Sequence, residues 1–329
     1  MEMMKVLFYQ KLNSLWRSKL KELREEFPEV EFIDDYEKAD EHLPEADVLV
    51  GGKPGRETVE KAARLSFIVV PFAGVNHLPL DLIRERGIRV ANSHGNAFCV
   101  AERSVALVLA FYGRIIEFHN DMRRETRWHG FWVGRGLDDT WESIEGKSAA
   151  ILGAGEIGRQ TARLLKPFGV ETIGMKRRRE ATEPEEFDRI VYDLDEALEA
   201  GEIIFIDLPA TRRTQGLLGE QRLSAMEDKF IVNVGRGSIV EEEALYRHLQ
   251  DGTLRGAAID CWYTYPQEGV VGAPSRFPIH ELDNVVLSPH IAGFTALAVQ
   301  RNVDHAVRNL GDFLRGRQAR FEVDTAEAY

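Results

Sequence analysis

Cysteine is scarce. Only Cys99 and Cys261 occur in 329 residues, far apart and in no C-x-x-C pair, so no disulfide framework is expected and both read as reduced thiols. Long apolar runs are missing as well: the longest, 105–112, falls far short of the roughly 20 residues a helix needs to cross a bilayer, and no membrane role is expected. The first ten residues offer only Val6-Leu7-Phe8, without the apolar core and small-residue cleavage site of a secretory leader, which points to a cytoplasmic protein. Positive charge is in deficit, 42 Lys and Arg against 54 Asp and Glu for a net charge of −12, which argues against a nucleic-acid surface. Local basic pockets can still hold anionic metabolites. No His, Cys or carboxylate set has ligand spacing on a common element, so no metal is expected, and there is no repeat or low-complexity tract.

What is present is a regular alternation. The length exceeds a single core, so two domains are expected. In the first hundred residues, short apolar runs at 5–9, 31–33, 46–51, 67–71 and 89–91 are separated by mixed segments at 15–27, 57–64 and 80–86 that read as helices. A long helical passage over 100–124 follows, and strands resume at 149–152, 171–174, 190–191, 203–208, 230–233, 256–260 and 285–287. Such βα order predicts the α/β class, with two doubly wound parallel sheets. A helical stretch over 296–315, apolar at Val299, Val303, Val307 and Leu310, is long enough to return the chain to the first domain. The expected division is therefore 1–96 with 296–329, and 97–295, with a cleft between them.

Gly153-Ala-Gly155-Glu156-Ile157-Gly158 follows the apolar strand Ala149-Ala-Ile-Leu152 and opens a helical run. In that context G-x-G-x-x-G marks a dinucleotide site: a tight turn at the first glycine, close approach of the pyrophosphate at the second, helix–strand packing at the third, and free N–H groups at the helix start. About 20 residues on, a carboxylate would bind the ribose diol of NAD. This chain instead reads Met175-Lys176-Arg177-Arg178-Arg179, cations placed where a 2′-phosphate lies, which favours NADP over NAD. The competing reading is a solvated basic loop, partly neutralised by Glu180, Glu183, Glu185 and Glu186.

Three later segments each place a reactive side chain just past an apolar strand, on the edge where open α/β sheets bind ligands: Arg236 in Val-Asn-Val-Gly-Arg-Gly, Asp260 in Ala-Ala-Ile-Asp, and His290 in Leu-Ser-Pro-His. Reducing a 2-oxo acid requires a bidentate cation for its carboxylate and carbonyl and a proton donor for the forming alkoxide. Arg236 and His290 suit those two tasks.

With these motifs the chain resembles the D-isomer-specific 2-hydroxyacid dehydrogenase family over about residues 46–313. The resemblance is carried by the glycine motif, Leu208-Pro209-x-Thr211 with Gly216-Leu217-Leu218, Val232-Asn-Val234-Gly235-Arg236-Gly, Gly256-Ala-Ala-Ile-Asp260 and Ser288-Pro-His290. Upstream, Ala73-Gly74-Val75-Asn76-His77 is similar to the loop whose amides hold the substrate carboxylate, and Asn96-Ala97-x-x-Val100-Ala101-Glu102 to the start of the interdomain helix. The resemblance implies a Rossmann cofactor domain, a flavodoxin-like substrate domain and a homodimer joined through the cofactor domains. It implies that Arg236 anchors substrate with help from Ala73, Gly74, Val75 and Asn96, that His290 is the acid/base, and that Asp260 lies near the nicotinamide. Cofactor contacts are expected at Gly153, Gly155, Glu156, Ile157, Gly158, Lys176, Arg177, Leu208, Pro209, Thr211, Val234, Gly235, Asp260 and His290.

One position departs from the family pattern. The family carries a Glu five residues after the Asp, supporting the catalytic His, where this chain has Tyr265. A neutral phenol supplies no charge, so His290 is expected to hold its proton less strongly, unless Glu268 substitutes. The run Asp260-Cys-Trp-Tyr also resembles the formate dehydrogenase branch, although the acidic NAD-type residue of that branch is missing. Trp262, Tyr263, Tyr265 and Phe72 read either as a pocket for an apolar substrate side chain or as core. The sequence thus predicts an oxidoreductase that moves a hydride between NAD(P)H and a small 2-oxo or 2-hydroxy acid. The alternative, which the Tyr265 departure raises, is a weakly active or inactive nucleotide-sensing protein of the same fold.

Overall fold

A computed structural model describes residues 3–130, 137, 139–179, 181–267 and 269–326; Glu180 and Glu268 lie outside the described residues. The chain forms two compact units, Met1–Asn96 with Phe294–Tyr329, and Ala97–Gly293.

In the first unit, five parallel strands, β1 (Met4–Phe8), β2 (Val30–Ile33), β3 (Val48–Val50), β4 (Phe67–Val69) and β5 (Arg89–Ala91), lie in the order β2-β1-β3-β4-β5. That is the flavodoxin-like order. Consecutive strand residues point to opposite faces, and both faces are covered. Val6, Phe8, Val48, Val50, Phe67 and Val69 pack with Trp16, Leu20 and Leu23 of helix Ser14–Glu26 and with Val303 and Leu310 of helix Ala296–Leu314. Leu7, Leu49, Ile68 and Val90 pack on the other side with Leu43, Val59 and Ile83. Continuous apolar runs are what a parallel strand buried on two sides requires. Thr295 caps the C-terminal helix, accepting from the Ala298 N–H at 3.0 Å, and the chain re-enters this unit at Phe294, two residues ahead of the expected 296.

The second unit holds seven parallel strands: β6 (Ser148–Leu152), β7 (Glu171–Met175), β8 (Arg189–Val191), β9 (Ile203–Ile206), β10 (Phe230–Asn233), β11 (Gly256–Ile259) and β12 (Val285–Leu287), ordered β12-β11-β10-β9-β6-β7-β8. The chain winds outward from β6 to β8 and then restarts at β9 on the other side of β6. The winding direction therefore reverses between β6 and β9, where open α/β sheets form their ligand crevice. Leu152, Ile204, Ile206, Ile231 and Ile259 fill one face, and Ile151, Ile203, Phe205, Val232 and Val286 the other.

Two expectations about elements need correction. The helical passage over 100–124 is two helices, Ala97–Tyr112 and Ile115–Glu125, broken at Gly113-Arg114, where Arg114 takes a left-handed φ of +47°. Glycine weakens the helix there, and the left-handed residue after it turns the axis. Strands β9 and β11 also stop earlier than expected, so Asp207 and Asp260 stand just beyond their ends. Among the described residues no helix is long and apolar enough to cross a membrane.

Candidate active site

The glycine turn leaves β6 at the reversal point. Gly153 has φ +106°, and a Cβ there would stand 3.1 Å from the backbone carbonyl of Asp207. At Gly158 a Cβ would meet the carbonyl oxygen of Gly153 at 2.2 Å, so both positions require glycine. Gly155 is the N-cap of helix Glu156–Leu165 and offers no capping side chain, which leaves the first-turn N–H groups for an outside acceptor. These features fit a dinucleotide pyrophosphate. Glu156 is exposed at the helix start, while Ile157 packs against the core.

Beyond β7, Lys176 is half-buried and Arg177, Arg178 and Arg179 are exposed. The Arg179 guanidinium lies 5.0 Å from the centre of the Tyr192 ring. Of the acids expected to neutralise this loop, Glu186 is committed elsewhere. Glu186 is bonded by Arg159 and Arg163 at 2.9 and 3.1 Å, and its pairing with Arg159 holds its carboxyl below the usual range. Glu183 accepts from the Tyr192 hydroxyl at 2.5 Å.

Leu208, Pro209 and Thr211 follow β9. Thr214 Oγ1 donates to the Pro209 carbonyl at 2.6 Å and accepts from the Thr211 N–H at 2.8 Å, while the Thr211 hydroxyl receives the Arg213 and Thr214 N–H groups. That side chain shapes its own turn, so this loop can present backbone rather than the hydroxyl of Thr211. Asp207, which carries no part of the sequence motif, is half-buried with its Oδ1 shut off from solvent, and desolvation pushes its carboxyl up to about 7.

Arg236, Asp260 and His290 follow β10, β11 and β12, three adjacent strands. Asn233 sets the first loop: its Oδ1 accepts from the Gly235 N–H at 3.2 Å, its Nδ2 donates to the Arg236 carbonyl at 3.0 Å, and its carbonyl receives the Asp260 and Cys261 N–H groups. Val234 is buried beneath that loop. Arg236 donates to the Gly235 carbonyl at 2.7 Å.

Asp260 is 1% exposed and accepts from the Ser288 hydroxyl and from the Ile291 and Ala292 N–H groups at 3.0 and 3.1 Å. It therefore clamps the turn on both sides of His290. Trp262 adds an indole N–H to the Ser288 carbonyl at 2.8 Å, and Arg103 reaches the Ser288 hydroxyl. Held this way, His290 adopts φ +55°, a left-handed conformation that costs a β-carbon residue on the order of 1–3 kcal/mol and persists only where neighbours enforce it. Partial burial lowers the pKa of His290; the Asp260 carboxylate opposes that shift and the Arg236 cation adds to it.

Tyr265 stands beside His290, ring centres 5.3 Å apart and planes tilted by 46°. Its hydroxyl accepts from the Trp262 N–H at 3.0 Å, and among the described residues no hydrogen bond reaches either ring nitrogen of His290. Burial raises the phenol's pKa, so Tyr265 stays neutral. Trp262 is part of the buried core, Tyr263 and Phe72 are half-buried and pack against the cores of their units, and Tyr265, at 43%, is the most exposed of the four aromatics. Cys261 is buried, its thiol pushed up to about 12, which leaves it inert.

In the first unit, Ala73, Gly74 and Val75 follow β4. The Asn92 side chain donates to the Ala73 carbonyl at 2.7 Å, fixing the loop, and Val75 is buried. Asn96 ends the first stretch of this unit with its Oδ1 buried and, among the described residues, unpartnered. The signal for the supporting residues Asn233, Ser288 and Asn92 was polar side chains among apolar strand-end residues, which sequence alone cannot separate from solvent-facing ones.

A family model described as D-isomer specific 2-hydroxyacid dehydrogenase, NAD binding domain, matches residues 105–292. A glyoxylate reductase from Thermofilum pendens is 34% identical over 82% of this chain and 77% of its own length. A hydroxypyruvate reductase from Blautia hydrogenotrophica is 28% identical over 86% of this chain and 87% of its own. Among solved structures, the PH0520 protein of Pyrococcus horikoshii superposes with a TM-score of 0.82 at 31% identity, covering 98% of this chain and 96% of that one. Strand order, glycine turn, strand-end residues and relatives agree, and the chain belongs to the D-isomer-specific 2-hydroxyacid dehydrogenase family of NAD(P)-dependent oxidoreductases.

Proposed function

We propose that this enzyme reduces a small 2-oxo acid of the glyoxylate or hydroxypyruvate type, with NADPH preferred over NADH. When bound, the dinucleotide supplies the hydride. The observation that carries the reading is the row of strand ends β10, β11 and β12, which presents a guanidinium, a buried carboxylate and an imidazole held in a left-handed turn by that carboxylate.

Arg236 binds the substrate carboxylate and polarises its carbonyl. His290 gives its proton to the carbonyl oxygen as negative charge develops there. Asp260 keeps the imidazole in position. The glycine turn and the start of helix Glu156–Leu165 hold the pyrophosphate, and Lys176 and Arg177 receive the 2′-phosphate.

The same reading includes a homodimer. Helix Ile115–Glu125 buries none of its residues, and Ile115, Ile116, Met122, Trp128 and Trp141 are each at least 40% exposed. A second copy would cover that apolar surface.

The test is oxidation of NADPH and NADH by the purified protein with a panel of 2-oxo acids, beside His290→Ala. Turnover that His290→Ala reduces by about a hundredfold or more supports the reading. Tight dinucleotide binding without turnover on any 2-oxo acid overturns it.

A further inference from the structure

Asp207 has no part in the chemistry above, yet it occupies the reversal point of the seven-stranded sheet. It follows β9, and its N–H donates to the Leu152 carbonyl at the end of β6 at 2.9 Å. The glycine turn rests on it, since the missing Cβ of Gly153 leaves room for the Asp207 backbone. Its side chain points into the unit toward helix Glu156–Leu165, where Oδ2 receives the Thr161 hydroxyl at 3.4 Å and Oδ1 is buried without a partner among the described residues. An ionised carboxylate needs several donors, and this site supplies one long bond.

Charged groups on the surrounding elements do not compensate. Glu156, Arg159 and Arg163 lie on the helix, the latter two turned to Glu186, and Arg212, Arg213 and Arg236 lie in the loops after β9 and β10. Burial, opposed only by the Thr161 hydroxyl, governs the carboxyl and places its titration at about 7. The pyrophosphate would rest on the same turn, so a charge appearing on Asp207 acts on it through protein interior, where solvent screens little.

We propose that Asp207 is a proton-linked positioning residue for the dinucleotide: neutral, it supports the glycine turn, and ionised, it sets an uncompensated negative charge beneath the pyrophosphate site and weakens binding. Dinucleotide binding then takes up a proton at and above neutral pH. The inference rests on the reading of the glycine turn as the pyrophosphate site.

The test is calorimetric titration with NADH, which carries no 2′-phosphate to titrate, between about pH 6 and pH 8.5 in two buffers of different ionisation enthalpy. In the wild type the Kd should rise about tenfold across that range, with proton uptake visible as a buffer-dependent enthalpy; in Asp207→Asn both effects should vanish. Should Asp207→Asn fail to fold, Thr161→Val removes the group that favours the ionised form and should move the wild-type midpoint to higher pH. A flat wild-type profile without proton uptake overturns the inference while leaving the pyrophosphate site intact, as does a profile that Asp207→Asn leaves unchanged. Absence of NADH binding at every pH overturns the reading of the turn and the inference with it.

Discussion

Replacing Tyr265 by glutamate restores an anion beside the imidazole, and the geometry sets how much that changes. The two rings are 5.3 Å apart. At that separation, opposite unit charges attract by about 3 kcal/mol at an effective dielectric of ~20 and about 0.8 kcal/mol in bulk water. Tyr265 is 43% exposed, which places the site between these limits. Divided by 1.36 kcal/mol per pKa unit, the range becomes roughly 0.6 to 2.3 units, and an increase of about one unit is expected for His290. The sign follows from the mechanism. Reduction uses the protonated imidazole, so kcat/KM falls as pH rises through the pKa of His290, which burial now holds below its ordinary value. In Tyr265→Glu that fall should move up by about one pH unit, and near pH 7.5 the variant should reduce 2-oxo acid several-fold faster. The assay is the pH profile of kcat/KM for both proteins at saturating NADPH. Coincident profiles would refute the role assigned to position 265. Loss of the Trp262 N–H bond to the tyrosine hydroxyl is expected to cost about 1 kcal/mol of stability, separately measurable by thermal unfolding.

Two further predictions test the neighbouring parts of the site. Asp260→Asn exchanges a carboxylate that accepts three hydrogen bonds for an amide that presents donors to some of the same partners; unfolding should become easier by about 2–3 kcal/mol and kcat should fall at least about tenfold. Unaltered kcat in a folded variant would show that the clamp on His290 is unnecessary. Lys176→Asp combined with Arg177→Ala should weaken NADPH binding by about tenfold or more and NADH binding by less than about threefold in fluorescence titrations; equal losses would remove the 2′-phosphate assignment.

Much of this protein can be read from local sequence because its signals are local. Apolar runs too short for helices and spaced by helical segments give parallel strands buried on both faces, as at Val6-Leu7-Phe8 and Ala149-Ala-Ile-Leu152. The glycine motif announces a turn that no other residue can make, and Arg236, Asp260 and His290 declare themselves by following such runs. The departure at Tyr265 shows only against the pattern of the family that the chain resembles, not from any local signal.

Other features depend on which elements meet. The break at Gly113-Arg114 turns on a backbone conformation that a helical pattern does not display, and the commitment of Glu186 to Arg159 and Arg163 on a local helix diverts a charge that the sequence places near the basic loop. Only tertiary structure makes Asp260 a clamp, because its partners at 288, 291 and 292 reach it by pairing of β11 with β12. Asp207 is the sharpest case. In sequence it is one acidic residue at a strand end; its place beneath the glycine turn exists because β9 pairs with β6 across the reversal of the sheet, and desolvation of a carboxyl that receives one long hydrogen bond is what changes its proton affinity.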